Sequence, residues 1–118
     1  IGVDYPRGLA SDGEHLFVVN SVRDTVQMVR LSDGKVVATV QGDGRMFGAE
    51  GVAYSQGALY VADVGRGRIV VFDTSPVLRY RRAHGGPGAA RGQFNRPTGV
   101  AARGSEVFVA DTANHRVQ

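Results

Sequence analysis

A chain of 118 residues, 42% hydrophobic and 21% charged with a net charge of +3, has the balance of one folded domain, not that of a disordered tail or a charge-driven polymer. It has no cysteine, which excludes a disulfide framework and a thiolate zinc site. No apolar run approaches the ~18 residues of a membrane span and no signal-peptide pattern opens the chain, while a start at Ile1 makes a piece of a longer protein the expectation and leaves the compartment open.

In chain order, short β-branched runs alternate with Gly, Asp and Ser, and no window carries a competing helical period. The first copy of the pattern predicts strands over 7–10, 16–19, 26–31 and 36–40. Ser11-Asp12-Gly13 and Ser32-Asp33-Gly34 supply tight-turn chemistry, and a loop over 21–25 joins the middle pair. The second copy predicts strands over 51–54, 59–62, 68–72 and 77–80. A Gly-rich insertion, HGGPGAARG, follows, and its glycines are expected to give flexibility. The third copy stops at Gln118 as its third strand begins. LFVVNSVRDTV, LYVADVGRGRI and VFVADTANHRV align without a gap, and Gly8, Gly51 and Gly99 recur at separations of 43 and 48 residues. Val18, Val61 and Val109 should therefore face alike in three successive sheets.

Four antiparallel strands in a repeat of this length match the spacing of a β-propeller blade. PTGVAARGSEVFVADTANHRVQ resembles the NHL repeat, with Asn114-His115-Arg116 at the family's Asn-His-Leu-like triplet. The resemblance is strongest in the third copy and weakest in the first. It implies an all-β partial propeller of four-stranded meander blades: blade one over about 5–44, blade two over about 45–84, and an incomplete third blade over about 91–118. It also implies a closed ring, so further blades or other chains should cover the open edges.

Position-matched residues separate scaffold from site. Asp63 and Arg68, like Asp111 and Arg116, stand five apart across one loop, while the first copy has Asn20 and Thr25. We read them as loop-closing pairs in which the carboxylate also accepts N–H groups of the turn. Metal-ligating aspartates are the alternative, and they would need several oxygens converging on one point. His15, His84 and His115 share no repeat position, so they supply no metal triad; the lyases similar to this family have a histidine constellation with no counterpart here. The insertion lacks the Lys-Ser/Thr of a phosphate loop, and no serine has a nucleophile-elbow setting. No cofactor is expected.

Charge is uneven. Arginine outnumbers lysine 13 to 1, and residues 74–105 carry six arginines and no acid. Meander geometry assigns Arg7, Arg45, Arg66, Arg91 and Arg96 to one loop face, with Arg79, Arg81 and Arg82 on an outer flank. The function expected is a non-enzymatic interaction scaffold whose arginine face binds an acidic protein or peptide. Single-stranded RNA is a second partner class, because Tyr80 and Phe94 interleave the arginines; a propeller enzyme of the peptidyl-hydroxyglycine lyase or hydrolase kind is a third reading. Phe94, a lone ring beside a strand, is expected to plug a gap between blades.

Overall fold

Turn residues that satisfy their own backbone cut the chain into hairpins. Asp12 Oδ1 accepts the N–H groups of Glu14 and His15 at 2.8 and 2.7 Å, and Gly13 takes a φ of +97° that a side chain would resist. The computed structural model describes residues 5–41 and 46–118. The first sheet is an antiparallel meander of β1 (Pro6–Ser11), β2 (His15–Asn20), β3 (Thr25–Arg30) and β4 (Val36–Gln41). The second repeats it with β5 (Ala49–Ser55), β6 (Ala58–Asp63), β7 (Arg68–Asp73) and β8 (Arg79–His84). The third contains β9 (Pro97–Arg103), β10 (Glu106–Asp111) and the short β11 (Arg116–Val117), which pairs Ala110 with Val117 and Asp111 with Arg116.

One strand departs from the sequence expectation. The fourth strand of the second sheet runs over Arg79–His84, not 77–80, so His84 ends a strand instead of lying in the Gly-rich insertion. Apolar residues mislead here because the fourth strand is the outermost. Val77 is exposed in the preceding turn and Leu78 folds inward to the core, while the strand itself is largely solvated and arginine-rich. Tyr80 and Ala83 anchor it opposite Phe72 and Val70.

Alternation decides which blade each side chain meets. Phe17 and Val19 of β2 point toward the second sheet, and Val61 returns the contact from β6. Tyr60 and Ala62 of β6 point toward the third sheet and meet Val109 of β10. Val18, Val61 and Val109 are all buried and occupy matching register positions, paired with Leu9, Val52 and Val100 respectively. Phe17 stacks on Tyr54 across the first interface, with centroids 5.7 Å apart and planes 10° from parallel. Met46 and Phe94 stand just ahead of their blades' first strands, and each is buried in one of the two interfaces. Burying side chains of this size contributes ~1.5–3 kcal/mol apiece before the entropy of ordering them is subtracted.

The recurring glycines set the spacing of the inner strands. A Cβ on Gly8 would lie 2.2 Å from Glu50 O, and one on Gly51 would lie 2.3 Å from Thr98 O. Each innermost strand therefore presses its glycine against the carbonyl that precedes the next blade's glycine. Asp24 adds a polar tie, its Oδ1 accepting the N–H groups of Gly48 and Ala49 at 2.9 and 3.2 Å. The connections leading into each blade lie beside that blade's second-to-third-strand turn: Ser21 N donates to Tyr5 O at 3.1 Å, Gly65 N to Phe47 O at 2.8 Å, and Ala113 N to Asn95 O at 3.0 Å. These contacts gather one rim of loops.

Candidate interaction face

Two fully buried carboxylates hold this rim together. Asp63 Oδ2 accepts from Arg68 Nε at 2.9 Å, and its Oδ1 accepts from the N–H of Phe47 at 2.7 Å. Asp111 repeats the arrangement: Arg116 Nε at 2.8 Å and the N–H of Asn95 at 2.7 Å. The backbone donor thus comes from the connection entering the blade, sixteen residues upstream, and not from the turn beside the aspartate. Each carboxylate fastens two loops of its own blade. Asn114 Nδ2 and Gln118 Nε2 also donate to Asp111. Burial pushes the Asp111 carboxyl up, but the Asn95 N–H, Asn114, Arg116 and Gln118 together overcome this and bring it down to about 2. Among the described residues, no three His, Asp or Glu side chains come together as a metal ion would need.

Above these ties the rim carries a cavity of about 480 Å³ between the second and third sheets. Its walls are the loop ahead of β5 (Phe47, Gly48) with Glu50 at the start of that strand, Val64 and Gly65 of the 3-10 turn Val64–Arg66 with Gly67, and the stretch ahead of β9 (Phe94, Asn95, Arg96) with Pro87. The structure distributes the five arginines of the anticipated face unequally. Arg96 lines the cavity and is exposed; Arg66 is exposed within the turn that forms its wall. Arg7 is joined to Glu50 across the first interface. Arg91 lies beyond Phe94 in a separate cleft of about 510 Å³, with Arg82, His84 and Tyr60. Arg45 lies outside the described residues.

Other arginines are engaged by neighbours. Arg79 and Arg81 share Asp73 at 3.4 and 3.6 Å, Arg30 meets Asp33 and Arg103 meets Glu106. Arg82 Nε donates to His84 Nε2 at 2.8 Å; burial, followed by the Arg82 charge, lowers the His84 pKa. Among the described residues no carboxylate pairs with Arg66, Arg91 or Arg96.

The Gly-rich insertion is more structured than its composition suggests. It wraps Phe94, whose N–H donates to Gly86 O and whose carbonyl accepts from Gly88 N, both at 3.0 Å. A Cβ on Gly85 would strike the Phe94 ring at 2.5 Å, so glycine here makes room for an aromatic. Phe94 is buried and offers no free face for stacking a base. Sequence reasoning passed over Phe47 and Glu50. Phe47 is 66% exposed at the cavity edge. Its signal lay in the aligned copies, where the second blade pairs Phe47 with Gly65 and the third pairs Asn95 with Ala113.

The family model described as NHL repeat matches residues 48–72 and 94–118. No curated protein matches the sequence. Among solved structures, glutaminyl cyclase of Myxococcus xanthus superposes with a TM-score of 0.70 at 16% identity, over 98% of this chain and 49% of that one. Hydrazine synthase of Kuenenia stuttgartiensis gives 0.74 at 19% identity, over 100% of this chain and 36% of that one. Virginiamycin B lyase of Staphylococcus aureus gives 0.70 at 16% identity, over 98% and 40%. This chain thus spans half or less of each, and identities this low establish the β-propeller fold and nothing of its chemistry.

Proposed function

Because this chain belongs to the NHL-repeat family of β-propeller blades, we propose that it is a non-enzymatic interaction module whose loop rim binds an acidic protein or peptide. One observation carries the reading: Arg66 and Arg96 flank a loop-rim cavity without a carboxylate partner among the described residues, whereas Arg7, Arg30, Arg68, Arg79, Arg103 and Arg116 each have one. A guanidinium left over where Arg7, Arg68 and Arg116 of the same rim are matched is available for an external carboxylate, which it can engage through two parallel hydrogen bonds. The buried aspartates support the same reading, since their bonding capacity goes into fastening loops instead of facing a substrate.

The test is fluorescence anisotropy with a labelled poly-glutamate peptide across a salt series. Affinity should fall as salt rises, and the double substitution Arg66→Glu/Arg96→Glu should weaken binding by more than about tenfold without lowering the melting temperature. Unchanged affinity in the folded double variant refutes the proposal. Single-stranded RNA is the second reading, favoured by the cleft that Arg82, His84, Arg91 and Tyr60 line together. Replacing Arg91 should then reduce the salt slope for an oligouridine by roughly 0.7.

A further inference from the structure

The copies of the repeat show which rim residues the scaffold requires. Phe47 and Asn95 occupy equivalent places and do the same backbone work: each N–H donates to its blade's buried aspartate, and each carbonyl accepts from the following turn. An asparagine suffices for that work. The Phe47 ring is therefore additional to it, and it remains exposed despite its apolar area. Its seat is specific. A Cβ on Gly65 would lie 2.3 Å from Phe47 Cδ1, so the ring rests on a residue stripped of its side chain. In the third blade, the corresponding turn residue is Ala113 beside Asn95.

Arg96 follows the same logic. The residue ahead of each blade's first strand adopts the left-handed backbone: Tyr5 at φ +50°, Gly48 at +71° and Arg96 at +53°. Glycine meets this requirement without strain in the second blade. An arginine there costs ~1 kcal/mol or more relative to glycine, and Pro97 beside it restricts the backbone further. Arg96 nevertheless occupies the position, with its side chain on the cavity that Phe47 edges. Two positions where the scaffold accepts something simpler thus place on one cavity an exposed ring and a guanidinium with no carboxylate partner among the described residues.

We infer that Phe47 and Arg96 form a two-point anchor for an acidic peptide carrying an aromatic side chain beside a carboxylate. The aromatic side chain enters the cavity against Phe47, Val64 and Pro87, and the neighbouring carboxylate meets Arg96. A cavity of about 480 Å³ has room for a large side chain, and its apolar walls favour a ring over a phosphate. Glu50, itself neutralised by Arg7, adds a carboxylate to the wall, which disfavours a polyanionic backbone more than a peptide with isolated charges. This inference rests on the proposed binding of acidic peptides and gives that binding its apolar determinant.

The experiment compares two synthetic peptides of equal charge, both rich in Asp and Glu, one with a central Phe and the other with Ser in its place, alongside an oligouridine. Binding is measured by isothermal titration to the full chain and to Phe47→Asn, which preserves the backbone role that asparagine performs in the third blade. The Phe peptide should bind the unsubstituted chain about tenfold more tightly than the Ser peptide, and Phe47→Asn should erase that difference while leaving residual salt-sensitive binding. Arg96→Gln should weaken both peptides. Equal binding of the two peptides overturns the anchor while leaving the arginine-face reading in place. Binding of neither overturns both, and tighter binding of the oligouridine that is lost in Arg96→Gln assigns the rim to RNA instead.

Discussion

Replacing Gly51 by alanine tests whether the close approach of inner strands builds the stack of blades and, through it, the rim. The new Cβ would stand 2.3 Å from Thr98 O and 3.0 Å from Gly99 Cα, both backbone atoms that cannot rotate away. Ordinary contact would require β5 and β9 to part by roughly 1 Å, an overpacking cost of about 2 to 3 kcal/mol. The molecule contains its own control. A Cβ on Gly99 meets only Ala110 Cβ at 3.4 Å, so Gly99→Ala should change stability by no more than about 0.5 kcal/mol, with the reduced freedom of the unfolded chain acting in its favour. In thermal melts followed by circular dichroism, the difference should appear as a fall of about 8–12 °C for Gly51→Ala against almost none for Gly99→Ala. The consequence reaches the site, because Glu50 immediately precedes Gly51, and Arg96 stands two residues before Thr98, whose carbonyl the new Cβ would strike. Equal melting temperatures for the two variants would refute the argument.

Asp111→Ala should destabilise by about 1 to 3 kcal/mol in urea titrations, because it strands the Asn95 N–H and Arg116 together, whereas Asn20→Ala, which removes only neutral bonds to Thr25 and Gln27, should cost about 1 kcal/mol. The same carboxylate should contribute to acid sensitivity. Its folded pKa lies at about 2, below its ordinary 3.8, so its stabilisation is present above about pH 4 and is lost as pH falls toward 2; Asp111→Asn should flatten the stability profile in that window. Arg96→Gly should leave stability unchanged or raise it by up to about 1 kcal/mol, by relieving the left-handed strain, while weakening acidic-peptide binding; a clear loss of stability would show that the Arg96 side chain belongs to the scaffold.

The repeat made most of the fold legible. Three aligned copies exposed the inner glycines, the alternation around Val18, Val61 and Val109, and the aspartate–arginine spacing, because each reflects a packing rule applied at every blade. Phe94 was readable as an interblade plug for the same reason: a large ring beside a strand has few other stable places. The outer strand β8 was poorly marked, since a mostly solvated strand needs little hydrophobic alternation and Arg79–His84 reads as a polar loop. Counting charge by segment also misled. Residues 74–105 contain no acid, yet Asp73, one residue outside that window, engages both Arg79 and Arg81. The Arg7–Glu50 pair joins residues 43 apart, and only the stacking of blades brings them together. The rim cavity was hidden for a related reason, as it is assembled from three connections that no local spacing relates.

The most direct test of the central claim is a map of backbone amide shifts in the NMR spectrum as an acidic, phenylalanine-containing peptide is titrated into the full chain. Binding at the rim should move Phe47, Gly48, Gly65, Arg66, Gly67 and Asn95 together along one saturable curve, leaving Arg79–His84 and Gly13 unmoved. Shifts concentrated on β8 and the cleft of Arg82, His84 and Arg91, with the rim unchanged, would contradict the account.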